Sequence, residues 1–353
     1  MSRKKQVYVG MSGGVDSSLS AAMLVEQGYD VTGVYMKNWS EDLPGFSCPW
    51  QEDYEDAMRV AVQLGIDFKL YDFQTEYRRK VVDYMIEGYK QGITPNPDIM
   101  CNQEIKFKLF LDTALADGAE AIATGHYARS KKGRLYAGLD TNKDQSYFLY
   151  RVSSSALEKS VFPLGDMTKP TVRAEAKQRG LATAEKKDSQ GICFIGDVGI
   201  EDFLRQFVET EPGDIIDSSN RKVLGEHNGA LFYTIGQRHG LGIGGGLPYY
   251  VVGKNMQKNE VYVSSNIDDE RLWTEQMHIS TPHWINEPPK EAKAYQVRVR
   301  HRGALNACTI SLDDDPNQPI INLKDPLRAV AAGQSAVIYD DEEVLGGGII
   351  SSR

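Results

Sequence analysis

The sequence predicts an α/β protein in which an open, doubly wound parallel sheet precedes a β-rich half of small domains or barrels. Two patterns and the composition predict it. From residue 6 to about 125, short runs rich in Val, Ile and Tyr alternate with longer stretches of helical apolar spacing, as βαβ units require. After about residue 205, short strands punctuated by glycine and polar turns take over. The chain has 353 residues, 41% hydrophobic and 25% charged, an ordinary globular balance. At roughly 150 residues per domain that length suits two or three domains.

In chain order, QVYVGM reads as the first strand, VDSSLSAAMLVEQG as the first helix and YDVTGVYM as the second strand. Helix-like WQEDYEDAMRVAVQLG and strand-like IDFKLYDF follow, then two further helical stretches, and AEAIATGH closes the series. In the second half GDIIDSSNRKVLG, YYVVGKNMQKNEVYVSS, AYQVRVRHRG, ACTISLDDD and QSAVIYDDEEVLGGGII supply the short strands, with a weak boundary near TPHWINEPPKEAKAY.

Several function classes are disfavoured. The net charge of −9 argues against a surface that grips nucleic acid everywhere, although a local basic patch remains compatible. No window approaches the ~20 apolar residues of a membrane span. The start, MSRKKQVYVGM, runs from a few cations straight into a strand with no apolar signal core, so the expected compartment is the cytoplasm. Four cysteines, at 48, 101, 193 and 308, form no C-x2-C pair, and the six histidines show no metal spacing.

The most specific feature is the run Gly10, Met11, Ser12, Gly13, Gly14, Val15, Asp16, Ser17, Ser18 between the first strand and the first helix. Glycines 13 and 14 permit positive φ and close backbone approach, the serine hydroxyls can donate to oxygens, and the helix aims its N–H groups at an anion. The run is neither a Walker A loop nor G-x-G-x-x-G, and no lysine serves the phosphates. Asp16 would repel a polyphosphate unless Mg²⁺ stood between them. The plainer reading is a glycine turn in which Asp16 and Ser17 cap a helix. Strand, SGGVDSS loop and helix together resemble the pyrophosphate (PP) loop of the ATP pyrophosphatase superfamily.

Cys101 lies at the start of a helical pattern, followed by Lys106 and Lys108, a setting that lowers a thiol pKa below the ~8.5 of free cysteine. Seen alone, it is equally a small buried hydrophobe. Cys193 lies in AEKKDSQGICFIG, which suits a mobile loop or a core strand. Cys48 and Cys308 lack comparable context and are read as structural.

Taken together, GMSGGVDSS, TPNPDIMCNQEIKF, ATGHYAR, KDQSYFLY, DSQGICFIG and LFYTIGQRHGLGIGG resemble the bacterial tRNA-specific 2-thiouridylase family from the first strand to the end of the chain. The resemblance implies a PP-loop catalytic domain over 1–203, a central β domain over 204–275 and a C-terminal β-barrel over 276–353. It implies ATP and Mg²⁺ as cofactors, with Gly10 to Ser17, Met36 and Gly125 holding the nucleotide. It implies wobble-uridine thiolation of tRNAs for lysine, glutamate and glutamine. Cys193 would carry a persulfide from an upstream sulfur-relay protein and Cys101 would form a transient disulfide with it. Asn96, Pro97 and Asp98 would contact the target base, Asp98 as general acid/base, although NPD is also a plain turn sequence. His126, Lys143, Asp144, Gln145, Arg300, His301 and Gln334 would touch tRNA. VRVRHRG departs from the tyrosine-bearing run of the family.

Four basic stretches fit RNA binding: Arg78 to Lys80, Arg129 to Arg134, Lys186 with Lys187, and Arg298, Arg300 and Arg302, which in a strand would share one face. A monomer is expected, because no heptad or swapped-strand signal appears. Two rival functions remain, a small-molecule adenylating ligase, which has no use for two cysteines, and a non-catalytic RNA-binding protein that keeps the loop as a switch.

Overall fold

The computed structural model describes residues 4–42, 48–188, 199–244, 246, 248–291, 293–312 and 317–352. Its first half is built on a five-stranded parallel sheet. The strands are β1 (Gln6–Gly10), β2 (Asp30–Lys37), β3 (Asp67–Asp72), β4 (Ala121–Ala123) and, after the hairpin β5 (Ala128–Lys131) and β6 (Arg134–Ala137), β7 (Ser160–Val161). The order is β3-β2-β1-β4-β7, so the chain reverses direction across the sheet between β1 and β4.

β1 shows why this sheet carries helices on both faces. Val7 and Val9 point into the core shared with Leu19 and Ala22 of the helix Val15–Glu26 and with Val172 and Ala176 of the helix Lys169–Gln178. Tyr8, of opposite parity, points into the other core, with Val81 and Val82 and with Ile105 and Phe110. Period-two alternation in a central parallel strand therefore feeds two apolar layers. Each fully buried aliphatic side chain there contributes roughly 1.5–3 kcal/mol.

The segment 97–116 is one continuous helix whose middle, Cys101–Phe110, is π-helical. Its start follows helix-capping rules: the Asn96 side chain accepts from the Ile99 N–H at 3.3 Å and Pro97 sits in the first turn.

The middle of the chain forms a four-stranded sheet of β8 (Gly213–Asp217), β9 (Val223–His227), β10 (Tyr250–Asn255) and β11 (Glu260–Ser264), in the order β10-β11-β8-β9. The end forms a barrel of β12 (Trp273–Trp284), β13 (Tyr295–Arg298), β14 (Asn306–Ser311), β15 (Ile320–Arg328), β16 (Ser335–Asp340) and β17 (Glu343–Ser352), closed by pairing of β12 with β17. The expected α/β class, doubly wound sheet first and β-barrel last, is what the chain adopts. An unexpected element is the β5–β6 hairpin, which leaves the parallel sheet and pairs β6 with β17, Leu135 opposite Val344. Arg134 and Arg129 fasten it to Glu343 and Glu342 at 2.6 and 2.9 Å.

The expected cationic stripe of Arg298, Arg300 and Arg302 does not form. β13 ends at Arg298, which is buried, and the chain then turns, with Arg302 at φ +58°. Strand alternation cannot continue through a turn.

Candidate active site

The glycine run lies at the carboxyl end of β1, at the point where the sheet order reverses, the usual ligand crevice of such sheets. Met11 N–H donates to Val34 O at 2.8 Å, which ties the loop to β2. Gly13 has φ +74°, and a Cβ there would stand 2.3 Å from Asp53 O. Gly14 is the N-cap of the helix Val15–Glu26. From the other side Gly125, just beyond β4, comes so close that its Cβ would lie 2.8 Å from Ser17 N. A Cβ on Gly10 would be 3.0 Å from Met36 Cε. The fold thus brings Gly10 to Ser17, Met36 and Gly125 into one crevice. The Ser17 and Ser18 hydroxyls donate inward to Gly14 O, at 3.1 and 2.9 Å, so their local role is to brace the loop.

A lysine from far outside the glycine run stands at this loop. Lys169 Nζ lies 2.8 Å from both carboxylate oxygens of Asp16, and the Tyr127 hydroxyl donates to Asp16 Oδ1 at 2.8 Å. The same ammonium is 2.9 Å from Asp188 Oδ1, and Asp188 is also held by Lys143 and Arg173, each at 2.6 Å. Burial alone would raise the Asp188 carboxyl, but the hydrogen bonds from Lys143 and Lys169 outweigh it and hold it down at about 2. Thr168 caps the helix that Lys169 opens, accepting from Thr171 N–H. T-K-P-T marks that helix start in the sequence, but nothing in it says that this end faces a loop more than a hundred residues earlier. Asp188 begins the run DSQGICFIG, and Cys193 itself lies outside the described residues.

Cys101 sits one turn into the helix begun by Asn96 and Pro97, with Asp98 in the first turn and Asp98 O accepting from Asn102 Nδ2 at 3.0 Å. Its thiol is 1% exposed, among the apolar residues under the parallel sheet. Three parts of the chain meet just before this helix. Thr94 N–H donates to Ala332 O at 2.9 Å, Gln334 Nε2 donates to Thr94 O at 2.9 Å, and the Thr94 and Thr234 hydroxyls lie 3.0 Å apart. Gln334, expected at tRNA, is here a tie between the barrel and the Asn96 segment.

The other expected tRNA contacts divide. His126 is buried between Phe107 and Phe162 with Nδ1 2.8 Å from Thr124 Oγ1, and burial, with Lys106 nearby, pushes it well below the ordinary histidine value. Asp144 is also internal, paired with Arg298. Gln145 Oε1 accepts from Tyr127 N–H at 3.0 Å and so holds the residue that touches Asp16. Lys143 leans on Asp188. Arg300 is exposed, and His301 stacks on Phe148 at 4.5 Å, pushed down to about 4 by burial and by Arg302. Several of the basic stretches are ion-paired: Arg78 with Asp83, Lys80 with Glu104, and Lys186 with Asp53 and Asp56. Burial raises the thiol of Cys48 and lifts that of Cys308 to about 12.

Comparison with known proteins decides the family. Residues 5–197 match the tRNA methyl transferase HUP domain, 201–265 the tRNA methyl transferase PRC-barrel domain and 274–350 the aminomethyltransferase beta-barrel domain. A tRNA-specific 2-thiouridylase MnmA of Bacillus cytotoxicus is 45% identical over 98% of this chain and 94% of its own length. That of Bacillus mycoides is 44% identical over 99% and 95%. The chain belongs to the tRNA-specific 2-thiouridylase family.

In this thiouridylase-family chain, the described residues include no group of three His, Cys, Asp or Glu side chains that could hold a metal ion. Mg²⁺ needs no such cage, since it binds nucleotides through one or two carboxylates and the phosphate oxygens themselves. Asp16, at the mouth of the loop, is a carboxylate that fits that demand. No helix among the described residues is long and apolar enough to cross a membrane.

Proposed function

We propose that this chain is a cytoplasmic tRNA sulfurtransferase that uses ATP to replace O2 of the wobble uridine with sulfur. The observation that carries this reading is the 45% identity to a tRNA-specific 2-thiouridylase across 98% of the chain. The crevice of Gly10 to Ser17 with Gly125 supports it, because Gly13 and Gly125 let neighbouring backbone close tightly around a helix N-terminus, a setting that suits an anion.

The chain works as three units, 1–203, 204–275 and 276–353. The loop grips the polyphosphate, and Met36 and Gly125 line the adenosine side. Bound Mg²⁺ would screen the phosphates from Asp16 and polarise the α-phosphate. Asn96, Pro97 and Asp98 hold the target uracil, with Asp98 as its acid/base. Uracil O2 attacks the α-phosphorus and pyrophosphate leaves. The terminal sulfur of a Cys193 persulfide, loaded by a sulfur-relay protein, then attacks C2 and AMP departs. Cys101 takes the remaining sulfur of Cys193 into a disulfide, freeing the thiolated base. Lys143, Gln145, Arg300 and His301 steady the tRNA, whose unstacked wobble base is cheap to extrude. His126, Asp144 and Gln334 support those contacts from inside. The tRNAs are those for lysine, glutamate and glutamine, and the enzyme acts as a monomer.

Unmodified tRNA incubated with the protein, ATP, Mg²⁺ and a persulfide-generating sulfur source should yield, by mass spectrometry of its nucleosides, one sulfur-for-oxygen exchange at the wobble uridine. Cys101→Ser and Cys193→Ser should each abolish it. ATP cleavage to AMP without tRNA thiolation, in an assay where a known thiouridylase works, would instead indicate an adenylating ligase.

A further inference from the structure

The charges around Lys169 are unevenly shared. Asp188 has three cations, Lys143, Lys169 and Arg173. Asp16 has, among the described residues, one cation and one hydroxyl, Lys169 and Tyr127. Lys169 is 8% exposed, whereas the Asp16 side chain is 32% exposed and open to an ion arriving from solvent. Its ammonium contacts both oxygens of Asp16 at 2.8 Å, occupying the sector in which a divalent cation would bind that carboxylate. Mg²⁺ binds oxygen at about 2.0–2.1 Å, and an ammonium bridging both oxygens fills the bidentate face of the carboxylate and repels a second cation there.

Resting on the nucleotide reading of the loop, we propose that Lys169 is a placeholder cation. In the nucleotide-free protein it neutralises Asp16, and when a nucleoside triphosphate arrives with its divalent cation it yields Asp16 and turns to the phosphate oxygens. Three features make the exchange feasible. The lysine stem is flexible, so the ammonium can move a few ångströms without the helix moving. Asp188 Oδ1, 2.9 Å from the ammonium, keeps a hold on it, which limits where it can go. Asp188 also stays neutralised by Lys143 and Arg173, so the move strands no buried charge there. Lys169 is in this sense a positioning residue, which prevents Asp16 from repelling the incoming anion and then stands as a counter-charge to it.

Mn²⁺, read by electron paramagnetic resonance, serves as the probe on the full chain. Without nucleotide, Lys169→Gln should bind one Mn²⁺ at least tenfold more tightly than the unaltered protein, and adding Asp16→Asn should erase that gain. Lys169→Arg, which keeps the charge, should show no gain. With a non-hydrolysable ATP analogue, Lys169→Gln should need several-fold less Mn²⁺ for half-maximal binding, while its analogue affinity at saturating Mn²⁺ falls several-fold. Equal Mn²⁺ affinity of the unaltered protein and Lys169→Gln overturns the proposal, as does a gain that survives Asp16→Asn or appears equally in Lys169→Arg. Should the chain bind no nucleotide, the functional reading fails, and the nucleotide-free Mn²⁺ comparison still decides whether Lys169 guards Asp16.

Discussion

Arg298, the last residue of β13, donates from Nη1 to Asp144 Oδ2 at 2.7 Å, with side chains 11% and 2% exposed. The other oxygen of Asp144 accepts from the Gly138 and Ser146 N–H groups, each at 3.0 Å. One carboxylate therefore joins the C-terminal barrel to the turn that carries Lys143. Arg298→Met would leave that charge buried without its cation, a loss of about 3–5 kcal/mol in urea unfolding. Asp144→Asn with Arg298→Met removes the stranded charge and should recover much of it. A single-variant loss below about 1 kcal/mol would show that the pair is not what holds the two regions together.

Gly125→Ala tests the crevice. The added Cβ would press on Ser17 N at 2.8 Å and on the Asp16 carbonyl carbon at 2.9 Å, so the glycine loop must shift. Calorimetric titration with an ATP analogue should show affinity at least tenfold weaker, about 1.4 kcal/mol. Gly65→Ala is the contrast, at φ +65° in open space. It should cost about 1–2 kcal/mol of stability for a left-handed alanine and leave nucleotide affinity unchanged.

Burial pushes the Lys254 ammonium down to about 8, while its Nζ donates to Tyr233 O at 2.8 Å. The unfolded chain, with an ordinary lysine value near 10.4, then binds more protons than the folded one between those two values. This group's contribution to stability accordingly rises as the pH climbs from about 8 to 10.4 and is smallest below 8. Lys254→Met should be relatively most stabilising near pH 7, and the difference between the two proteins should shrink as the pH approaches 10.4. Chemical denaturation at stepped pH measures it, and a constant difference across that range would count against a depressed lysine.

Thr94, in the first region, carries bonds from both of the others, so loosening one should be felt at Asn96 to Asp98. Gln334→Ala removes the bond to Thr94 O, and Thr94→Val removes the hydroxyl contact with Thr234, each costing about 1 kcal/mol. Hydrogen exchange should accelerate at the Thr94 amide, which is bonded to Ala332 O. If tRNA affinity fell in Gln334→Ala without any change in that exchange, Gln334 would be touching RNA directly and not acting through the junction.

What was legible in the sequence was mostly local. The Gly10 to Ser18 run announces a strand, a turn and a helix start within nine residues, and Gly13 has the positive φ of +74° that such a turn asks for. Asn96 and Pro97 announce a helix start in the same way. The stripe expected of Arg298, Arg300 and Arg302 failed because strand alternation was extended through a turn, and a turn is set by what β13 packs against as much as by its own residues.

By itself the sequence determined the α/β class, the order of the elements, the glycine loop between the first strand and the first helix and, through several long motifs in the family's order, the thiouridylase family. Periodicity and turn chemistry act over a few residues, and a family's motifs are strings, so both can be read along one chain. Only the tertiary structure decided that Lys169 faces Asp16, that Asp144 is buried against Arg298, that Gln334 reaches Thr94 and that the β5–β6 hairpin joins the barrel. Those partners are 153, 154, 240 and more than 200 residues apart. Their pairing follows from how packed layers bring chain segments together and exclude water, which makes an unpaired charge costly and fixes which cation meets which carboxylate.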